Sequence, residues 1–309
     1  MNKTILLSLI LIFTLFQNNT FCQNKLPKIY FGQIDQEETS RILIDEKIDF
    51  SDYGEYFSSE YSGKLINKYA PYNSNSYIFY KYYEDFKPMT KIRIGDEFFI
   101  SNSDNVVKGK VIGYKVNNNM EDPNNFLPIL QTDINFDYRS DSNYFKNIVI
   151  CSDDNRISII DYKTSDDLFA FSIAKKAIYE NLNNNKSNVE YYKQYEGFDV
   201  FENKYINSEN EILISYIENI EFTAPHDFSS GFTSAIFIVD NRGNILKKVK
   251  EFLYNDFNYN KVIGTVDLDN DGIFEILIET GYYEGSGYEL WGFKDNIFVK
   301  ICEGFYYGV

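Results

Sequence analysis

The chain has 309 residues, and its 46 Asp and Glu against 30 Lys and Arg give a formal net charge of -16. Such a surface repels phosphate backbones and anionic lipid, which excludes nucleic acid as a partner class. Aromatic residues make up 18% of the chain, 27 Tyr and 27 Phe beside 1 Trp. With the frequent Ile and Val these are strand formers, so the expected fold is mainly β, an α+β arrangement of antiparallel sheets and hairpins in two β-rich halves.

Met1-Asn2-Lys3-Thr4 carries one positive charge and leads into an apolar run over 5–16, broken only by Ser8 and Thr14 and followed by a polar segment to Cys22. That is the layout of a signal peptide. The apolar run would span about 18 Å as a helix, short of the roughly 30 Å hydrocarbon core of a bilayer, so an export signal is expected and a transmembrane segment is not. Cleavage is expected after Cys22, leaving Gln23 first in a periplasmic, cell-envelope or secreted protein. Loss of Lys3, the one charge in residues 1–22, takes the net charge from -16 to -17. Cys22 also admits a lipoprotein, but Asn19 and Phe21 stand where such sites usually carry Leu and a small residue. Export permits a Cys151–Cys302 disulfide, while two small buried apolar residues would serve equally; spacing alone leaves both open.

The mature chain is long enough for two domains, expected over 23–162 and 163–309. Strands are expected at 42–44, 77–80, 91–94, 97–100 and 106–116, the last two joined as a hairpin by the polar turn 101–105. A second hairpin is read over 148–150 and 157–160, a third over 236–239 and 245–246, and a fourth over 290–293 and 297–301. The polar stretch 117–125, with Pro123, reads as a loop. Between the hairpins lies a helix, about 166–182. Ser165 is its expected cap, Asp166 and Asp167 favour its first turn, and Leu168, Phe171, Ile178 and Leu182 recur at near-helical spacing.

One constellation carries metal chemistry: Asp267-Leu268-Asp269-Asn270-Asp271-Gly272-Ile273-Phe274-Glu275. Carboxylates at its first, third, fifth and ninth positions can converge where the chain coils, the Ile273 carbonyl can add a ligand, and Gly272 permits the sharp turn. Hard oxygen donors in this number suit a structural Ca2+ ion. An EF-hand would need a bidentate Glu at the twelfth position, which is Ile278, and helices on both sides, where β-branched residues stand instead. The loop and its Gly and Tyr-rich continuation, 279–293, resemble the strand-loop-strand calcium site of FG-GAP or VCBS-type repeats, over about 260–303. In that resemblance Asp267, Asp269, Asp271, the Ile273 carbonyl and Glu275 are the implied ligands. Such repeats usually occur in several copies, whereas one acidic loop is present here. The segment 163–309 is too short for a complete propeller, so a smaller twisted sheet or sandwich with a packed helix is expected.

Catalytic motifs are missing from the sequence. The single histidine, His226, lies in a turn-like segment, Ser286 between two glycines lacks the spacing of a nucleophile elbow, and no phosphate loop, zinc spacing or dinucleotide fingerprint occurs. The expected function is therefore an exported, non-catalytic binding or interaction protein for a protein or polysaccharide ligand. The alternative is a glycan hydrolase, or an accessory to one, working through paired carboxylates, with Glu284 and Glu289 beside Tyr282, Tyr283, Tyr288 and Trp291 as the sugar-contacting candidates, although a hairpin whose aromatics pack on the core is the favoured reading of those residues.

Overall fold

Apolar side chains alternate along some strands and run unbroken along others, and the unbroken runs mark strands buried on both faces. The computed structural model describes residues 27–36, 38–46, 75–79, 91–117, 126–138, 147–184, 198–201, 211–221, 230–255, 258–282, 285–294 and 297–308. Residues 1–22, the loop 118–125, His226, Tyr283 and Glu284 lie outside this set.

The first half contributes β1 (Ile29–Ile34), β2 (Arg41–Ile44), β3 (Asn75–Phe79), β4 (Glu97–Ser101), β5 (Val106–Asn117), β6 (Phe126–Thr132) and β7 (Ile148–Ser152). All pair antiparallel in the order β3-β5-β4-β7-β1-β2-β6, and the further pairing of β5 with β6 closes six of them into a barrel. β4 and β3 share one edge of β5 in succession, through 106–110 and 113–117. Ile34, Ile42, Ile44, Phe98, Ile100, Val111, Leu130, Val149 and Cys151 fill the interior. At Gly32 a Cβ would come within 2.8 Å of Ile42, Cys151 and Val149, so a glycine is required where β1 crosses them.

Among the described residues the second half contributes one helix, α1 (Leu168–Asn184), and two four-stranded antiparallel meanders. The first is β8 (Phe198–Phe201), β9 (Ile212–Glu221), β10 (Ser230–Val239) and β11 (Ile245–Asn255); the second is β12 (Tyr259–Val266), β13 (Glu275–Tyr282), β14 (Gly285–Lys294) and β15 (Ile297–Gly308). The protein is thus mainly β with antiparallel sheets and, among the described residues, one packed helix, and is not a complete propeller.

Three cores order these parts as layers. Ala170, Ile173, Ala174, Ala177 and Ile178 of α1 meet Val200, Ile214, Tyr216, Ala235, Phe237 and Val239. On the opposite face of that sheet, Phe201, Leu213, Ile236 and Ile238 meet Val262, Ile276 and Ile278. Beyond these, Ile263, Val266, Leu277, Tyr288 and Leu290 meet Phe31, Ile148 and Ile150 on the outside of the barrel. β7, β10 and β13 are sandwiched between two cores, which is why their sequences read as continuous apolar runs.

Four local expectations are corrected. Residues 91–94 form no strand: the amides of Lys91 and Ile92 donate to the buried Glu46 carboxylate, and the Ile92 carbonyl accepts the Tyr114 hydroxyl, so a side chain replaces a ladder. Residues 157–160 form no hairpin with β7, whose neighbours are β1 and β4. The helix is capped by Asp167, whose Oδ1 accepts the Phe169 amide at 2.9 Å, while Ser165 Oγ accepts the Asp167 amide. Its buried stripe is Ala170, Ile173, Ala174, Ala177 and Ile178, and Leu168, expected on that stripe, is 84% exposed.

The outer edge of β12 is engaged at three positions, Asn260, Val262 and Thr265. The Asn260 and Val262 amides donate to Ser234 Oγ and Ser215 Oγ at 3.0 and 2.9 Å. Further along, Asp161 and Thr265 exchange backbone bonds of 2.8 and 2.9 Å. The division drawn at residue 163 falls between that bridge and Ser165, whose amide donates to the Val200 carbonyl. Both thiols are free, Cys151 inside the barrel and Cys302 against the outer cluster; burial pushes both up, Cys302 to about 12.

Candidate metal centre

β12 and β13 pair antiparallel with Val266 opposite Glu275, and residues 267–274 make the connection. The flanks are strands, as the β-branched residues on each side require. The turn uses two left-handed residues, Asn270 at φ 56° and Gly272 at φ 82°. Asparagine tolerates that region and glycine enters it without steric cost.

Asp267 organises the loop. It is buried, its Oδ1 accepts the Asp271 amide at 3.2 Å, and its Oδ2 accepts the Gly272 amide at 2.9 Å. Asp271 Oδ1 in turn accepts the Ile273 amide at 2.7 Å. The coil that results brings one carboxylate oxygen each from Asp267, Asp269 and Asp271 within 4.8 Å of one another. Opposite ligands of a calcium ion lie about 5 Å apart, so three such oxygens fit one coordination shell. The group can hold a metal ion.

Glu275 stands apart from that trio. Its Oε2 accepts the Leu268 amide at 3.0 Å, and a Cβ on Gly292 would stand 3.4 Å from its Oε1, so the glycine leaves it room. Burial pushes its carboxyl up to about 8; the Leu268 hydrogen bond opposes this, and the charges of Asp269, Asp267 and Asp271 add to it. Asp269 is also raised, first by burial and then by Asp271 and Asp267. Ile273 lies in the same coil through its amide. Of the five residues expected as ligands, three are brought together by side-chain oxygens and the other two frame them.

Two neighbours were invisible in the sequence. Ser158 exchanges hydrogen bonds with Asp267, its amide donating to the Asp267 carbonyl and its Oγ accepting the Asp267 amide, both at 2.8 Å. Arg156 holds Asp154 in a fork, Nε lying 3.0 and 3.1 Å from the two carboxylate oxygens, which keeps the Asp154 carboxyl below its usual range. The guanidinium also feels Asp269 and Asp271. Neither residue is within a hundred positions of the loop, so only the tertiary fold assigns them.

Of the sugar-contacting candidates, Tyr288, Glu289 and Trp291 have described side chains. Tyr288 is fully buried against Phe31, with ring centroids 6.3 Å apart. Glu289 is buried and accepts Lys250 Nζ at 2.6 Å and Trp291 Nε1 at 2.8 Å, with Lys300 Nζ at 3.6 Å. Lys250 also lies over the Trp291 ring, 5.6 Å from its centroid. Tyr288 thus packs on the core, and Glu289 joins the two meanders through Lys250 of β11. No helix among the described residues is long and apolar enough to cross a membrane. No family model matches the chain, and comparison with curated proteins and with solved structures found no significant match.

Proposed function

We propose that the chain is an exported, non-catalytic binding or interaction protein, braced by a structural Ca2+ ion in a single FG-GAP or VCBS-type loop. The observation that carries the metal assignment is the convergence of Asp267, Asp269 and Asp271 within 4.8 Å at a strand-loop-strand turn. Three carboxylates so placed repel one another, and a divalent cation removes that repulsion. Asp267, Asp269, Asp271 and the Ile273 carbonyl would hold the ion, and Glu275 would join them by giving up the Leu268 amide. The ion would supply charge neutralisation and rigidity, fixing the direction in which β13 leaves β12. Glu289, one of the two carboxylates offered for a sugar-contacting surface, is engaged by Lys250, Lys300 and Trp291. The ligand class expected is a protein or polysaccharide of the envelope or surroundings.

Thermal melts of the mature protein with calcium, with magnesium and with chelator test the metal assignment. A ligand that binds the folded state must raise the midpoint as its free concentration rises, by about 2.7 kcal/mol at a hundred times its dissociation constant. Calcium is expected to raise it more than magnesium, and Asp269→Ala with Asp271→Ala is expected to abolish the difference. Equal shifts from both metals, or a double variant that melts like the parent in calcium, would sink the assignment.

A further inference from the structure

Ser158 is bonded on both sides of the seam between the barrel and the last sheet. Toward the sheet it holds Asp267 by two hydrogen bonds of 2.8 Å. Toward the barrel its carbonyl accepts the Ser101 hydroxyl at 2.5 Å, and two residues later the Ile160 amide donates to the Asn102 carbonyl at 2.8 Å. Asp161 then bridges Thr265. The crossing is tight: a Cβ on Gly264 would stand 3.0 Å from the Tyr162 ring and 3.1 Å from the Asp161 carbonyl. A few groups in residues 158–161 therefore touch both the end of β4 and the residue that anchors the acidic loop.

We propose that residues 157–162 act as a clasp that passes the state of the acidic loop to the barrel, with Ser158 as its joint. Asp267 positions the loop through its side chain and Ser158 through its backbone. A shift of Asp267 therefore displaces Ser158 and strains the bonds to Ser101 and Asn102. Coupling between distant sites needs such a contiguous element with two arrangements that both sites bias. The clasp goes beyond the calcium assignment, because it rests on hydrogen bonds and needs only that the loop have a repelled and a relaxed state. Charge neutralisation imposes that change as well as calcium does.

Amide hydrogen exchange on the full mature chain tests it, read at β4 and β7 and at the loop. In chelator, Asp269→Asn with Asp271→Asn relieves the repulsion and is expected to slow exchange in the loop. It should also slow exchange at β4 and β7, by on the order of tenfold, the effect of a strengthened hydrogen bond or two. Ser158→Ala removes the hydroxyl that accepts the Asp267 amide and leaves the backbone bonds, so the loop response is expected to persist while the response at β4 and β7 shrinks severalfold. Ser101→Ala, which removes the barrel-side bond to the Ser158 carbonyl and leaves that between Ile160 and Asn102, should weaken the response at β4 and β7 too and serves if Ser158→Ala folds poorly. The clasp is overturned if β4 and β7 ignore the loop change, or respond equally with and without the clasp bonds. Calcium added to the parent forms a separate arm: no response within the loop itself would overturn the metal assignment, while the charge variant still decides the clasp.

Discussion

Glu275 sits at the head of β13 with its carboxyl raised to about 8 by burial, against a Leu268 amide that favours its charged form. In chelator the folded state thus holds a proton that the unfolded chain releases near 4.5. The sign follows from proton linkage: this contribution to stability is complete below about pH 4.5 and is lost as pH rises through about 8. Metal-free protein should therefore lose stability progressively across that window. Glu275→Gln, neutral throughout, should flatten the slope, and melts at a series of pH values in chelator measure it. A variant that keeps the parent's slope would refute the assignment. The acidic loop was legible in sequence because its carboxylates lie within nine consecutive positions, so local coiling suffices to gather them. Ser158 and Arg156 were not, since only the layering of barrel on sheet brings them there.

At the scale of elements, turn chemistry marked the hairpins of β4 with β5, β10 with β11, and β14 with β15. Each has its turn and both of its strands adjacent in sequence. The turn between β10 and β11 shows why: Asp240 Oδ1 accepts the Arg242 and Asn244 amides at 2.8 and 2.9 Å, closing the corner locally. Pairings such as β1 with β7 depend on residues more than a hundred positions apart, and no local signal announces them. In α1 the sequence pattern favoured large side chains, whereas the buried stripe is built largely on Ala170, Ala174 and Ala177, small enough to bring the helix close to the sheet. The cap moved as well. Asp167→Ala should cost about 1 kcal/mol, since it leaves the Phe169 amide without its acceptor, and Ser165→Ala should cost less. Denaturant unfolding of the two variants ranks them, and a larger loss at Ser165 would restore the cap to the position expected from sequence.

Across the whole molecule, three cores run through the layers from α1 to the barrel, and β13 contributes to two of them, Ile276 and Ile278 on one face and Leu277 on the other. A cavity at Ile278 should therefore weaken the full stack. Ile278→Ala is expected to cost 2–5 kcal/mol, roughly the range for buried aliphatic truncations. Trp291, the single tryptophan, reports on the last sheet by fluorescence, while far-ultraviolet circular dichroism reports on all strands. The two unfolding curves should coincide in parent and variant and shift together. A barrel transition left in place while the fluorescence midpoint falls would show that the layers unfold separately.

The engaged edge of β12 has a consequence for behaviour in crowded solution. An open strand offers its amides and carbonyls to any extended chain that drifts past, and a β-rich protein rich in Phe and Tyr is the kind most exposed to such templated growth. Here the hydroxyls of Ser215 and Ser234 occupy the Asn260 and Val262 amides, and Asp161 occupies the amide and carbonyl of Thr265. The last sheet cannot lengthen on that side by recruiting a strand from another molecule, and self-association that begins there is blocked before any loop charge or metal ion takes part.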